Sequence, residues 1–354
     1  MAKPRTTPQV IRSTAEFAAH VGLSRSTVSR ALNGHPGLKQ KTIDRVQAAL
    51  DATGFRPNAH AVNLRGRRAA MVGVCMEDFR NPTAVAKVSL LQQRLREQGL
   101  TTLIEVLAPG SSRQTLGHLL SLRVGAVVFI GHFDPSELAA QIDELTRHST
   151  PHLVIDDPGP GGANSVSLDR VRAMELVIEH LVAQGHRSFG LLGISGAFQT
   201  VTDRLTGVDR ALRAAGLDPA VAAVSLDSLH VRRDHFEYGS LLARSFLAQR
   251  RRPTAYLAVN DDTAVGALLE FQAAGLRVPE DLSLFGFNNQ NLCLMTRPKL
   301  SSVDQNIEDT IDVSVKTLLA KIGSVVTRRI TTHRVAPHLV LRGTTGPAPG
   351  NAGR

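Results

Sequence analysis

The sequence has few of the cysteines that form disulfide bonds and metal centres. It has only two cysteines, Cys75 and Cys293, which lie 218 positions apart and belong to no Cys-x-x-Cys pair or Cys/His cluster. This arrangement argues against a disulfide framework, a structural zinc site and an iron–sulfur cluster. A reducing compartment suits such a chain.

Long apolar runs are also missing. The basic N-terminus is not followed by the apolar segment of a signal peptide. The longest apolar runs, such as residues 124–130, are far shorter than the roughly 20 residues that a membrane helix needs. The sequence therefore predicts a cytoplasmic protein.

Common catalytic motifs are absent as well. The 13 histidines form no His-Glu-x-x-His motif, and no Gly-x-x-x-x-Gly-Lys phosphate loop occurs. Residues 193–197 come close to the Gly-x-Ser-x-Gly nucleophile elbow, but Ala197 stands where the motif needs its second glycine. The Pro/Gly-rich residues 158–162 predict a turn or flexible loop. We therefore expect neither an enzyme nor a cofactor or metal.

Positive charge is concentrated at the start of the chain. The 354 residues, 42% hydrophobic and 20% charged, are typical of a globular protein of two or three domains. Residues 1–68 hold twelve lysines and arginines against three acids, which accounts for nine of the ten net positive charges. This distribution favours a polyanion partner for the first fifth of the chain, although a solvated basic surface would carry the same charge.

Three short helices are predicted in this basic segment. Residues 14–20 have apolar side chains at helical spacing, Gly22 suits a tight turn, and Ser24 caps a second helix over residues 25–32. Residues 40–50 form a supporting helix. This order is the helix-turn-helix plan, which sets the second helix in the major groove of DNA. A basic helical hairpin without a nucleic-acid role is the alternative.

The residues of this segment carry a family resemblance. Ser24-Arg-Ser-Thr-Val-Ser-Arg-Ala-Leu-Asn-Gly34, then Gly54-Phe-Arg-Pro-Asn58 and Leu64-Arg65, closely resemble the DNA-binding segment of the lac repressor (LacI) family of bacterial transcription regulators. The resemblance implies that Arg25, Ser26 and Arg30 read bases, with a phosphate contact as the alternative for each. Arginine can form a bidentate contact with guanine, which favours Arg25 and Arg30 as base readers. The resemblance also implies phosphate contacts and docking roles for Thr27, Ser29 and Asn33.

Residues 57–64 match the hinge helix of that family. The resemblance implies that this segment folds on the operator, where paired hinge helices of a dimer enter the minor groove. Leu64 occupies the position of the leucine that wedges between central base pairs, and Asn58 and Ala61 are further candidate DNA contacts. The alternative for Leu64 is packing against the body of its own chain.

After residue 71 the pattern changes to short apolar runs that alternate with amphipathic helices. The predicted strands are 71–76, 103–107, 126–130, 152–155, 189–193, 255–259 and 282–285. The predicted helices are 85–98, 114–122, 137–147, 170–184, 202–215, 239–249 and 264–274. The alternation predicts βαβ units on parallel sheets. We expect two lobes with a ligand between them, beyond the carboxyl ends of the strands.

The family resemblance extends over this body, whose core is similar to periplasmic sugar-binding proteins. When the effector-contact positions of the family are carried over to this chain, the resemblance implies a set of polar effector contacts: Asp78, Asn81, Asp156, Arg204, Asn260, Asp261, Asn288 and Gln305. Asn260 and Asp261 have capping of a helix as their alternative role.

Two departures from the family pattern concern the ligand. Relatives usually carry an acid at the position of Asn288 and aromatic residues where this chain has Thr83 and Ala84. The lost acid, with Arg204 retained, favours an acidic effector such as a phosphorylated or carboxylated metabolite over a common sugar.

The sequence thus predicts an all-α helix-turn-helix head and an α/β body, a two-lobed periplasmic-binding-protein-like core with parallel sheets. The predicted parts are a DNA-binding domain (1–56), a hinge helix and linker (57–68), an effector-binding and dimerisation domain (69–345) and a flexible tail (346–354). The implied function is a homodimeric repressor on a palindromic operator, controlled by a small polar metabolite. An activator, an effector-insensitive regulator and a binding protein without a regulatory role are the alternatives.

Overall fold

A computed structural model describes residues 11, 13–32, 37–55, 71–107, 110, 112–157, 163–196, 198–226, 235–323 and 330–350. The chain divides into two compact units, residues 1–70 and 71–354. The predicted hinge helix and linker lie outside the described residues.

The N-terminal unit contains the three predicted helices, which the structure confirms: α1 (Thr14–Val21), α2 (Arg25–Leu32) and α3 (Gln40–Thr53). Ser24 Oγ accepts the backbone N–H of Thr27 at 3.1 Å and so caps α2. Gly22 ends α1 with a φ of 67°, a conformation that favours glycine. Six buried side chains form the core: Phe17, Ala18, Val21, Val28, Val46 and Phe55.

The C-terminal unit consists of two lobes, each built on a six-stranded sheet. The strands are β1 (Met71–Met76), β2 (Thr101–Val106), β3 (Ala126–Ile130), β4 (His152–Ile155), β5 (Ser165–Leu168), β6 (Phe189–Leu192), β7 (Ala223–Leu226), β8 (Ala255–Ala258), β9 (Ser283–Asn288), β10 (Ser301–Asp304), β11 (Thr332–Val335) and β12 (His338–Val340). The first sheet has the order β11-β5-β4-β3-β1-β2 and is parallel throughout. The second has the order β12-β10-β9-β8-β6-β7, in which only β12 is antiparallel.

Helices pack on both sheets. They are α4 (Pro82–Glu97), α5 (Ser112–Ser121), α6 (Pro135–Arg147), α7 (Arg170–Ala183), α8 (Gln199–Ala214), α9 (Pro219–Ala222), α10 (His235–Leu247), α11 (Asp261–Ala273) and α12 (Ile307–Gly323), with a 3₁₀ turn at Asn291–Leu294. Apolar side chains of β1, β3, α4 and α12 form one core, and those of β6, β9, α7 and α8 form another. The predicted two-lobed α/β body with parallel sheets is confirmed.

The chain passes between the lobes three times. It leaves the first sheet after β5, returns after β10, and crosses again between β11 and β12. Arg170 lies just beyond the first crossing and Gln305 lies in the second. Side chains at these crossings are therefore placed where the two lobes meet.

The sequence analysis did not assign β5, β7, β10, β11, β12 or helix α12. The five strands have only three or four residues each, and β5 (Ser-Val-Ser-Leu) places its two serines at 0% and 4% exposure. A short strand with buried hydroxyls lacks the apolar run that marks an interior strand.

Residues 346–350, assigned from the sequence to a flexible tail, pack against the second lobe. Gly346 O accepts from the His186 ring at 3.1 Å, and the N–H of Ala348 donates to Gln184 O at 2.9 Å. Ala348 is buried. The last four residues of that predicted tail lie outside the described chain.

Candidate functional site

A cleft of about 380 Å³ lies between the two lobes. Its walls come from residues that follow the carboxyl ends of strands in both sheets, as expected for a doubly wound fold. Six of the eight predicted effector contacts line it: Asn81, Asp156, Arg204, Asn260, Asn288 and Gln305.

The other two predicted contacts lie elsewhere. Asp78 lines a neighbouring depression and accepts from Arg80 Nε at 2.6 Å. Asp261 is fully buried behind the wall, where it accepts the N–H of Gln290 at 2.7 Å and the hydroxyl of Ser302 at 2.6 Å. Burial raises the pKa of Asp261 to about 6. Neither of the two predicted contacts lines this cleft, and beside Asp261 it is Asp262 that does.

Asn260 combines the two roles between which the sequence left a choice. It lines the cleft, and its side-chain oxygen caps α11 by accepting the N–H of Thr263 at 2.9 Å. Asn81 does the same for α4, where it accepts from Thr83 and Ala84. Capping fixes the rotamers of both amides, so each presents its remaining polar atoms to the cleft in a set direction.

Arg204 is the most distinctive cation of the cleft. Its side chain projects from α8, is 7% exposed, and stacks with its guanidinium 4.0 Å from the ring centroid of Phe287. Nη1 donates to Val259 O at 2.8 Å, whereas Nε is buried without a hydrogen-bond partner. Burial, aided by the charge of Arg170, lowers the pKa of Arg204 to about 9.

A chain of polar side chains runs from Lys87, which is buried behind the cleft, to three residues that line it, Asp156, Gln305 and Asn288. The ammonium of Lys87, which is 1% exposed, binds the Asp156 carboxylate and donates to Gln305 Oε1 at 2.6 Å. Gln305 Nε2 in turn donates to Asn288 Oδ1. Burial raises the pKa of Asp156, but Lys87 and Arg170 outweigh it and hold the pKa below its ordinary value. The chain joins α4 of the first lobe to the end of β9 in the second.

Sequence reasoning missed Lys87, Arg170 and several lining residues. The other missed residues include Glu77, His132, Ser195, Phe198, Thr200, Tyr238, Asp262 and Gln290. A signal existed for Lys87, because it lies in the apolar stripe of α4, between Ala84 and Leu91. A lysine at a core-facing helical position needs a buried counter-ion, which the sequence does not identify.

His132 makes the stability of the protein depend on pH. Burial and the charge of Arg170 lower its pKa to about 4. Between about pH 6.5 and pH 4 the His132 ring therefore binds a proton in the unfolded chain but not in the folded chain. Protonation thus favours the unfolded state, and the free energy of unfolding falls as the pH drops from 7 to 5.

We expect His132→Gln to remove this part of the pH dependence. Relative to the variant, the wild type should lose about 1 to 2 kcal/mol of unfolding free energy between pH 7 and pH 5. Urea unfolding at both pH values measures it, and His333→Gln makes the same chemical change at an exposed ring. Equal pH dependence of wild type and His132→Gln would contradict the assignment.

The described residues offer no metal or disulfide chemistry. No group of three or more His, Cys, Asp or Glu side chains among them is arranged to hold a metal ion. Cys75 and Cys293 are buried free thiols, and burial raises the pKa of each to about 12. In the same part of the chain, no helix is long and apolar enough to cross a membrane.

The N-terminal unit presents the predicted base-reading residues on α2. Val28 faces the core, and Arg25, Ser26 and Arg30 are exposed. Thr27 and Ser29 are partly buried, and the hydroxyl of Thr27 lies 2.8 Å from Ser24 Oγ. The remaining predicted DNA contacts lie outside the described residues: Asn33, Asn58, Ala61 and Leu64.

Known proteins resemble the chain along nearly its whole length. Residues 15–58 match the family described as "Bacterial regulatory proteins, lacI family", and residues 178–345 match a "Periplasmic binding protein-like domain". The HTH-type transcriptional regulator MalR of Streptomyces coelicolor is 32% identical over 96% of this chain and 98% of its own.

Solved structures of the lac repressor share the fold. The dimer bound to operator and the anti-inducer ONPF superposes with a TM-score of 0.83 at 24% identity, and covers 95% of this chain and 99% of its own. The lac repressor bound to ONPG gives a TM-score of 0.81 at 25% identity, with 94% and 99% covered.

Proposed function

This chain belongs to the lacI family of bacterial regulatory proteins, and on that premise we propose that it is a homodimeric repressor of a palindromic DNA operator, controlled by a small polar metabolite. It is a transcriptional regulator with an effector-binding domain. We place it in the bacterial cytoplasm and assign it no catalytic role. The observation that carries the proposal is an exposed basic helix-turn-helix on the same chain as a two-lobed body with a polar cleft.

Recognition of DNA follows from the surface of α2. The excess positive charge of residues 1–68 supplies phosphate contacts, which position the head but carry little sequence information. Arg25 and Arg30 are exposed on the helix that this motif sets in the major groove, where arginine discriminates guanine. Two heads read two half-sites together in a dimer, and the lac repressor, which shares this fold, is a dimer when bound to its operator.

Control by a metabolite follows from the cleft. Amides, carboxylates and a buried guanidinium converge there from both lobes, which suits a small polar ligand such as a sugar or an acidic derivative. A ligand that contacts both lobes stabilises one lobe arrangement over another, and this differential binding changes the affinity of the heads for DNA. Whether the result is repression or activation depends on where the operator lies relative to the promoter.

The test is selection of a palindromic duplex from a random pool by the full chain, followed by comparison with a scrambled duplex of the same composition. Salt is held at a fixed physiological concentration because phosphate contacts alone produce salt-dependent binding to any sequence. We expect a preference on the order of 10³-fold or more. Equal, salt-sensitive binding to both duplexes would contradict a sequence-specific regulator.

A further inference from the structure

The charges buried around the cleft are distributed unevenly. Lys87, Arg170 and Arg204 are each at most 7% exposed. Lys87 and Arg170 share one carboxylate, that of Asp156: Lys87 Nζ binds Asp156 Oδ1 directly, and Arg170 Nη2 lies 3.7 Å from the same oxygen. One carboxylate at the cleft therefore forms ion pairs with both cations, and the charges of Asp203 and Asp157 also act on Arg170.

Arg204 forms no ion pair with a carboxylate among the described residues. In that part of the chain, its guanidinium donates to the carbonyl of Val259 and stacks on the ring of Phe287. The charge of Arg170 acts on Arg204 unfavourably and helps to lower its pKa. A buried cation without a counter-ion is costly, and an anion that enters the site recovers that cost.

We propose that Lys87, by neutralising Asp156 from behind the wall, leaves Arg204 as an uncompensated cation, so that the cleft selects a ligand bearing a carboxylate or phosphate group. This inference rests on the proposed effector function of the cleft. Lys87 does not line the cleft itself and acts as a positioning residue through Asp156 and Gln305, which do.

The other acids of the cleft define the rest of the ligand. Glu77 accepts the N–H of His132 at 3.1 Å and lies 3.5 Å from Asn81 Nδ2, and Asp262 lines the wall at the start of α11. Neither forms an ion pair with Arg204 in the described chain, so neither supplies its counter-ion. Carboxylates and amides bind hydroxyl groups well. The ligand is therefore a polyhydroxylated molecule whose acidic group points to Arg204.

The test uses inorganic phosphate as the probe and measures its affinity for the full-length protein by titration calorimetry, at an ionic strength held constant with chloride. We expect Arg204→Met to weaken cleft binding at least about tenfold, the effect of one lost charge pair. Arg210→Met is the matched control, since Arg210 lies on the same helix but is exposed and lies 3.9 Å from Glu175. Phosphate that binds to the basic head contributes equally in both variants, so the difference between them reports on the cleft. Acetate in a second arm distinguishes a carboxylate ligand from a phosphate ligand.

Two further substitutions test Lys87 itself. In Lys87→Met the Asp156 carboxylate loses its ammonium partner, so its negative charge offsets the positive charges of Arg170 and Arg204. We therefore expect phosphate to bind about tenfold more weakly than to the wild type. Asp156→Asn removes the acid and should strengthen binding by a similar factor, and the double variant should return close to the wild type. General structural damage would weaken binding in both single variants, so opposite signs identify the charge effect. If Lys87→Met does not fold, the phosphate affinities of Asp156→Asn and Arg204→Met still test the inference.

Phosphate binding that is unchanged in Arg204→Met, or single variants that shift affinity in the same direction, would overturn the inference. Selective operator binding would remain intact in that case, so the regulator function would stand. Loss of operator selectivity in the wild type would overturn the function instead, whatever the phosphate titration shows.

Discussion

Arg25→Ala is expected to weaken binding to the selected operator about 10- to 100-fold, the effect of losing one bidentate contact to a base. Arg25 begins α2 and is exposed, while Val28 on the same helix is fully buried and fixes how the helix is rotated. The guanidinium therefore projects from the first turn of the helix that, in the proposed function, enters the major groove. Binding to a scrambled duplex should fall much less, because only the phosphate attraction of one charge is lost there.

Lys41→Ala is the matched control for this prediction. Lys41 is exposed in the first turn of α3 and carries the same unit charge. Its removal should weaken binding to both duplexes alike and leave their ratio unchanged. Fluorescence anisotropy with both duplexes at several salt concentrations measures the ratio and the salt dependence together. A ratio that survives in Arg25→Ala would show that Arg25 contacts phosphate rather than a base.

Gly239→Ala is expected to destabilise the C-terminal unit by about 3 kcal/mol or more, because helices α10 and α11 touch backbone to backbone. A Cβ added at Gly239 would lie 2.0 Å from the carbonyl oxygen of Thr263 on α11. A Cβ at Gly266 would meet the carbonyl oxygen of Phe236 on α10 at the same distance. Backbone atoms cannot rotate away as a side chain can, so the helices must separate.

Gly117→Ala provides the opposite expectation for the same chemical change. Gly117 lies inside helix α5, and an added Cβ there meets nothing within 4 Å. Alanine should stabilise this helix by roughly 0.5 to 1 kcal/mol, since it loses less conformational freedom on folding. Urea unfolding of both variants measures the two effects. A stability of Gly239→Ala equal to that of the wild type would contradict the close packing of α10 on α11.

Separation of α10 from α11 would also reach the cleft. His235 and Tyr238 of α10 line it, and Asp262 lies in the first turn of α11. The small residue at 239 thus keeps two walls of the second lobe together. We infer that this packing sets the width of the cleft on that side.

Local patterns predicted most of the elements correctly. The three helices of the head and most long helices of the body have strong apolar periodicity, although the 17-residue helix α12 was not assigned. Caps such as Ser24 and Asn81 act within three residues of themselves. Interactions between residues so close in the chain can be predicted from the local sequence. Short strands such as β5 were missed because their burial comes from neighbouring strands and not from their own composition.

The site was predicted less completely than the fold. The family resemblance placed Asp156, Asn288 and Gln305 at the cleft, but at the start of α11 it is Asp261 that is buried and Asp262 that lines the cleft. One residue along a helix changes the direction of a side chain by about 100°, which a positional argument does not resolve.

By itself, the sequence determined the helix-turn-helix head, its positive charge, the α/β body and the membership of a regulator family, because these depend on local periodicity, composition and motif spacing. Only the tertiary structure decided the electrostatics of the cleft. Lys87 meets Asp156 69 positions away and Gln305 218 positions away, and Arg204 forms no ion pair with an acid in the part of the chain that the structure describes. Burial and pairing of charges arise when distant segments pack together, and in a low-dielectric interior they determine which ligand the protein can bind.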